Sequence, residues 1–324
     1  MTPRYIDKPA IATLLPMSEA IPLMETMFRD LAAGRILQPL RSLMWLPDKK
    51  GLLGMMPAYT GTPDANAPET NAPASFLAIK LITIFPTNAA ANHPSHQGII
   101  VLFNGDNGAP LMLFDAEEIT AIRTAAASAV ATNRLATKEA STLAILGTGE
   151  QAARHIESIS LVRTIKEIRL WGRNKHKAEQ LAESKGIKIT ITDTPQQAVK
   201  DADIICTLTA ATQPILKGEW IKPGAHLNVV GSCTPNAREV DTEAVVKSKI
   251  FTDKYESLFN EAGDFLIPKK EGRITEAAVQ GEIGEVLTAA KPSRQHPTDI
   301  TLFKSLGIAA EDLYSAHHIY MKIQ

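Results

Sequence analysis

Leu143-Ala144-Ile145-Leu146-Gly147-Thr148-Gly149-Glu150-Gln151-Ala152 is the stretch of this 324-residue chain that decides its fold. An apolar run stops at a glycine and resumes three residues later in a helical pattern. In Gly147-x-Gly149-x-x-Ala152 the first glycine permits a tight turn and the second lets backbone amides approach a pyrophosphate. The small third residue lets the helix pack closely on the strand, with its N-terminus facing the anion. The pattern alone is common, and its surroundings give it weight. Strands are expected at Thr142–Leu146, Glu167–Trp171, Ile187–Thr192, Ile204–Thr207, Leu227–Val230 and Ile250–Thr252. They alternate with helices over Gln151–Val162 and from Lys175, the rhythm of a parallel sheet. The fold class is therefore α/β, with a Rossmann-type dinucleotide-binding domain.

Upstream the rhythm is different. Ser18 is a candidate cap for a helix running to Ala33. Short apolar runs at Leu40–Leu46, Gly51–Ala58, Phe76–Phe85, Gly98–Asn104 and Pro110–Phe114, separated by turn residues, predict an antiparallel sheet. Thr60 to Pro73 reads as an exposed loop. Asp115 is placed to cap a long helix from Ala116 to about Leu135, whose alanine-rich middle suits either tight helix packing or a ligand's close approach. The segment Asp299 to Gln324 reads as helical. The expected domains are a split α+β substrate-binding and dimerisation domain, 1–124 completed by 300–324, and the dinucleotide-binding domain, 125–299. A chain longer than about 250–300 residues ordinarily divides in this way.

Composition excludes several classes. The 34 basic and 35 acidic residues give a net charge of -1 with no basic stripe, which argues against nucleic acid. No stretch is apolar enough to cross a membrane, and Met1 to Asp30 lacks the pattern of a secretory signal. The two cysteines, Cys206 and Cys233, fit a reducing compartment, so the expected location is the cytoplasm. His93-x-x-His96 and His317-His318 lack the company of a metal-ligand set, and no metal is expected.

Four charges stand out. At the end of the second strand an NAD-binding fold would place an acid for the ribose hydroxyls. This sequence has Trp171-Gly172-Arg173-Asn174 instead, and Arg173 there can clamp a 2′-phosphate, which favours NADPH over NADH. Lys80 and Arg123 each interrupt an apolar element. Either they bind a substrate carboxylate or they form structural salt bridges, and the same alternatives hold for Arg41.

Several segments together resemble the ornithine cyclodeaminase/mu-crystallin family. They are Gly51–Tyr59, Lys80 with Phe85-Pro86-x-Asn88, Ile122–Ala126, Leu146–Gln151, His226–Pro235 with Arg238–Asp241, and Phe303–Gly307. The resemblance implies a homodimer in which Arg41, Lys80 and Arg123 bind the substrate's α-carboxylate beside Thr124, and Leu306 lies near the substrate. It implies that Ser95, Glu150, Gln151, Thr207, Val230 and Ser305 join Gly147, Thr148, Gly149, Arg173 and Asn174 around the coenzyme. Two departures matter. Cys233 stands where cyclodeaminases carry an acid, and Gly54 stands where the family has a glutamate. Without those carboxylates the distal amine of ornithine has no partner, so ornithine cyclisation is not expected. What the resemblance then implies is a ketimine reductase, reducing Δ1-pyrroline-2-carboxylate to L-proline and Δ1-piperideine-2-carboxylate to L-pipecolate. Lys80, a water or bulk solvent protonates the imine nitrogen. The alternatives are ornithine cyclodeaminase, an alanine dehydrogenase of the same family, and a non-enzymatic NADPH-binding protein.

Overall fold

The computed structural model describes residues 3–61, 75–85, 87–88, 94 and 96–324, without the side chain of His96. Most of the expected Thr60–Pro73 loop, Ser95 and His93 lie outside them. The chain forms two compact units, Met1–Arg123 with Gly307–Gln324, and Thr124–Leu306.

In the first unit, strand β1 (Arg4–Ile6) and helices α1 (Lys8–Leu14) and α2 (Met17–Ala32) precede β2 (Ile36–Leu37) and β3 (Ser42–Trp45). Four longer strands follow, β4 (Leu52–Thr60), β5 (Phe76–Ile84), β6 (His96–Asn104) and β7 (Pro110–Asp115), and then α3 (Ala116–Leu135). The sheet order is β1-β7-β6-β5-β4-β2, with β3 also on β4. It is antiparallel as expected except at its edge, where β1 joins β7 in parallel. One face, with Met56, Ala58, Ala78, Ile100 and Phe114, is buried together with helix α2 and the last helix, α11 (Ala309–Lys322). Pro16, not Ser18, stands at the N-cap of α2, and the helix begins at Met17. Asp115 does cap α3, accepting from the Glu118 amide at 2.9 Å.

The second unit is the parallel sheet. Its strands are β8 (Thr142–Leu146), β9 (Glu167–Trp171), β10 (Thr190–Ile191), β11 (Ile204–Thr207), β12 (His226–Val229), β13 (Ser248–Thr252), β14 (Val279–Glu282) and β15 (Ile300–Lys304). Helices α4 (Glu150–Val162), α5 (Lys175–Lys185), α6 (Pro195–Val199), α7 (Thr242–Val246), α8 (Tyr255–Glu261), α9 (Gly263–Lys270) and α10 (Ile283–Leu287) fall between them. The order β10-β9-β8-β11-β12-β15-β13-β14 is doubly wound, and its direction reverses between β8 and β11. The alanine-rich middle of α3 serves packing: Ala125 to Ala127 and Ala129 to Ala131 are buried, and Ser128 bonds to His155 of α4 at 2.9 Å. Burial holds the His155 imidazole down at about 4, so it is neutral there.

Two expectations need correction. Ile300–Lys304 is not helical; it is a fully buried strand between β12 and β13, so it belongs to the second unit and only the chain from Gly307 returns to the first. Thr-Leu-Phe-Lys is too short a run for its periodicity to separate strand from helix, and two-sided burial by neighbouring strands decided it. The strand expected at Ile187–Thr192 shrinks to Thr190–Ile191, an edge pairing with β9.

Candidate active site

The turn after β8 has the geometry its glycines require. Gly147 sits at φ +132°, and a Cβ there would meet the Leu208 carbonyl oxygen at 2.5 Å. Around Gly149 a Cβ would find open space, and Gly149 caps α4 without any side-chain hydrogen bond. An exposed helix N-terminus beside an open glycine is where an anionic pyrophosphate fits. Ala152 is buried against the sheet, as the tight contact demands. Thr148 lies against Gly172, where a Cβ would come within 2.3 Å of its methyl group. That close contact brings the turn to the end of β9. There Arg173 is exposed, and Asn174 caps α5 by accepting from the Lys177 amide at 3.2 Å.

The other residues expected near a coenzyme sit at the carboxyl ends of β11, β12 and β15. Val230 donates its amide to Thr207 O at 3.1 Å, and Ser305 donates to Val229 O at 3.1 Å. The Ser305 hydroxyl is buried and has no hydrogen-bond partner among the described residues, an orphan donor on the edge where doubly wound sheets take their ligands. The Thr207 hydroxyl is already engaged, donating to Glu239 at 2.7 Å. Glu150 is exposed and pairs with Arg154 at 3.4 Å, while Gln151 contributes its carbonyl to His155. The glycine turn, the exposed Arg173 and the orphan hydroxyl of Ser305 thus all lie at the carboxyl ends of strands of one sheet.

In the first unit the three expected cations come together. Lys80, on the buried face of β5, is 2.7 Å from Asp312 and donates to Thr120 at 3.3 Å. Arg123 forks onto Glu311 at 2.6 Å and Asp312 at 3.1 Å. Arg41 donates to the Gly307 carbonyl at 2.8 Å, and a Cβ on Gly307 would collide with the Arg123 guanidinium at 2.5 Å. Burial pushes the Lys80 ammonium down to about 8, with Asp312 partly restoring it. Burial disfavours the Arg123 charge too, but Glu311 and Asp312 more than compensate and raise it.

Structural salt bridges and a carboxylate site are thus not exclusive readings here. Three cations, Arg41, Lys80 and Arg123, meet two buried acids, Glu311 and Asp312, in one group. Glu311 and Asp312 escaped the sequence reading because acids in the first turn of a helix ordinarily need no explanation beyond the helix dipole. Thr124 and Leu306, the remaining residues expected around a substrate, are buried in the second unit, where the Leu306 amide donates to Asp253 at 2.6 Å.

No three His, Cys, Asp or Glu side chains among the described residues are grouped to hold a metal ion. His317 stacks on Phe76 and His318 meets Glu19 at 3.0 Å. Cys206 is buried, with its thiol pushed up to about 12 by burial, whereas Cys233 is exposed.

Residues 6–324 match the model of the ornithine cyclodeaminase/mu-crystallin family. The chain belongs to this family. It is 39% identical over 287 residues to the ketimine reductase mu-crystallin of Mus musculus, covering 89% of this chain and 85% of that one. It is 33% identical over 312 residues to a Δ1-pyrroline-2-carboxylate reductase of Bacillus cereus, covering 95% and 92%. Among solved structures it is similar to the Thermococcus litoralis Δ1-pyrroline-2-carboxylate reductase in complex with NADH and L-proline. There the TM-score is 0.90 and the identity 35%, over 98% of this chain and 96% of that one. An archaeal alanine dehydrogenase dimer with bound NAD superposes with a TM-score of 0.89 at 27% identity, over 99% and 96%. With the Rossmann-type unit and its glycine turn, these relationships make the chain an NAD(P)H-dependent oxidoreductase.

Proposed function

We propose that this protein reduces cyclic ketimines, Δ1-pyrroline-2-carboxylate to L-proline and Δ1-piperideine-2-carboxylate to L-pipecolate, with NADPH as its preferred coenzyme. The observation that carries the reading is the gathering of half-buried Arg41 with buried Lys80 and Arg123, cations held on Gly307, Glu311 and Asp312 where one substrate carboxylate can be received. Arg123 and Lys80 are held by Asp312 before any substrate arrives, so little reorganisation is needed when the carboxylate binds. Thr124, beside the carboxylate-binding residues, and Leu306 are the other residues we assign to the substrate. The exposed Arg173 supports selection of the 2′-phosphate, because no acid occupies the end of β9.

The bound coenzyme supplies the hydride that adds to the imine carbon. Lys80 donates the proton to the imine nitrogen: an ammonium near 8 is still charged at neutral pH yet gives up its proton far more readily than an ordinary lysine. Gly54 supports the absence of a distal acid, for it lies between Ile82 and Leu43, both apolar.

The working form is a homodimer. The face of the first unit's sheet opposite α11 carries Tyr5, Met55, Leu77, Ile79, Leu81 and Ile99, all exposed or half-buried. An apolar sheet face of this kind is ordinarily buried by a partner, and a self-complementary sheet suits a second copy. No helix among the described residues is long and apolar enough to cross a membrane, and we infer a cytoplasmic enzyme.

The test is the loss of NADPH absorbance by purified protein given Δ1-pyrroline-2-carboxylate, with NADH and with ornithine plus NAD in parallel. Rapid NADPH oxidation, slow NADH oxidation and a silent ornithine control are expected. Ammonia release from ornithine would overturn the reading.

A further inference from the structure

Glu239 lies outside every element discussed above, on the segment between β12 and α7, and is completely buried. Its carboxylate is surrounded by donors. One oxygen accepts from the Thr209 amide at 2.6 Å and the Thr209 hydroxyl at 2.7 Å; the other accepts from the Thr207 hydroxyl and the Gly231 amide, both at 2.7 Å. Two of these are backbone N–H groups that can only donate, so the arrangement is satisfied by the ionised form. A Cβ on Gly231 would come within 2.6 Å of the same carboxylate, which leaves no room for another residue there.

Glu239 thereby ties the turn after β11 to the turn after β12. Behind it lies a second buried pair. Asp264 accepts from the Glu239 and Val240 amides at 2.7 and 3.1 Å, and faces Lys304 at 3.0 Å. Lys304 also donates to the Ser232 carbonyl and directly precedes the orphan hydroxyl of Ser305. Lys304 and Asp264 cancel, and the charge of Glu239 is left over.

This edge belongs to the half of the sheet that starts at β11. The glycine turn belongs to the other half. A dinucleotide lies across the switch point of a doubly wound sheet, one mononucleotide on each half, so the half without the pyrophosphate turn receives the nicotinamide. That ring is neutral when reduced and cationic when oxidised, and it becomes cationic as hydride leaves.

We propose that Glu239 is a positioning residue that holds the turns at Thr209 and Gly231 beneath the nicotinamide. Its uncancelled carboxylate favours the oxidised coenzyme over the reduced one and so eases hydride donation. The inference rests on dinucleotide binding and not on which imine is reduced.

The experiment is a calorimetric or fluorescence titration of NADP+ and of NADPH into the full-length protein at constant ionic strength. Glu239→Gln should weaken NADP+ about tenfold more than NADPH, the effect of one unit charge lost at roughly 10 Å in a partly polar interior. Because an amide would turn donors toward backbone donors, that variant is at risk of misfolding. Asp264→Asn is the second arm. It keeps the acceptor for the two amides, removes one negative charge from the cluster, and should shift the ratio of the two dissociation constants in the same direction by less. Thr207→Val, which removes a hydrogen bond and no charge, should leave the ratio unchanged. Equal weakening of both coenzyme forms in the charge variants, or an unaltered ratio in Asp264→Asn, would overturn the proposal. Wild-type protein that bound neither form would instead remove the dinucleotide reading beneath it.

Discussion

Each unit of this molecule buries a group of charges, and the two groups differ in sign. In the first unit, Arg41, Lys80 and Arg123 outnumber Glu311 and Asp312 by one. In the second, Glu239 and Asp264 outnumber Lys304 by one. Taking a charge out of water is expensive, and a fully paired group would be the cheapest arrangement. The make-up of each group reads as a site for an opposite charge: a carboxylate in the first case, a developing nicotinamide cation in the second. The comparison teaches that buried salt bridges and binding sites are not alternatives. The acids that pair with Lys80 and Arg123 are what make it possible to keep two neighbouring cations in a dry place.

The strongest way to break this comparison is to remove a cation from the first group. Arg123→Met leaves Glu311 buried without its partner and should raise the KM for the imino acid by about 100-fold or more, since truncating one member of a buried charge pair costs roughly 2–5 kcal/mol. Coenzyme binding, measured by titration, should stay nearly unchanged. Loss of both together would mean that Arg123 serves the fold rather than the substrate, and a thermal melt would show it.

Next in size is the effect of pH. Lys80 titrates near 8 in the folded protein against 10.5 for an ordinary lysine. Between those values the unfolded chain binds more protons, so Lys80's contribution to stability rises with pH across that window. Substrate affinity runs the other way. The carboxylate is held more tightly by the charged ammonium, and KM should climb by roughly tenfold between pH 7 and 10, the factor for an ion pair that contributes about 1.4 kcal/mol. In Lys80→Met that pH dependence should vanish. A wild-type KM flat over this range would remove Lys80 from the carboxylate site.

A comparable but more selective change is expected for Arg173→Ala. The KM for NADPH should rise about tenfold, as for loss of one charge-assisted hydrogen bond, and that for NADH should not move. Equal effects on both coenzymes would make Arg173 a solvated surface residue. The smallest change is expected at Cys233. It is exposed and outside both charged groups, so Cys233→Ser should alter kcat/KM by less than about twofold, and a larger loss would bring it into the site.

How much of this was legible in advance follows from the range of the interactions involved. The stretch Leu143–Ala152 gave away the Rossmann-type unit because a strand, a glycine turn and a helix start are local events, written in consecutive residues. Most strands and the long helix α3 were legible for the same reason, and family resemblance picked out Arg41, Lys80 and Arg123. The strand at Ile300–Lys304 was not legible. Its five residues take their conformation from β12 and β13, which lie far away in the chain.

By itself, then, the sequence determined the α/β class, the glycine turn and three cations as candidates for an anion site. The tertiary structure alone decided which acids meet those cations and that Glu239 gathers four donors. Pairing among buried charges depends on which distant residues come within about 3 Å of one another. Neither composition nor periodicity carries that distance, because a helix with two acids in its first turn looks the same whether those acids face water or a buried arginine.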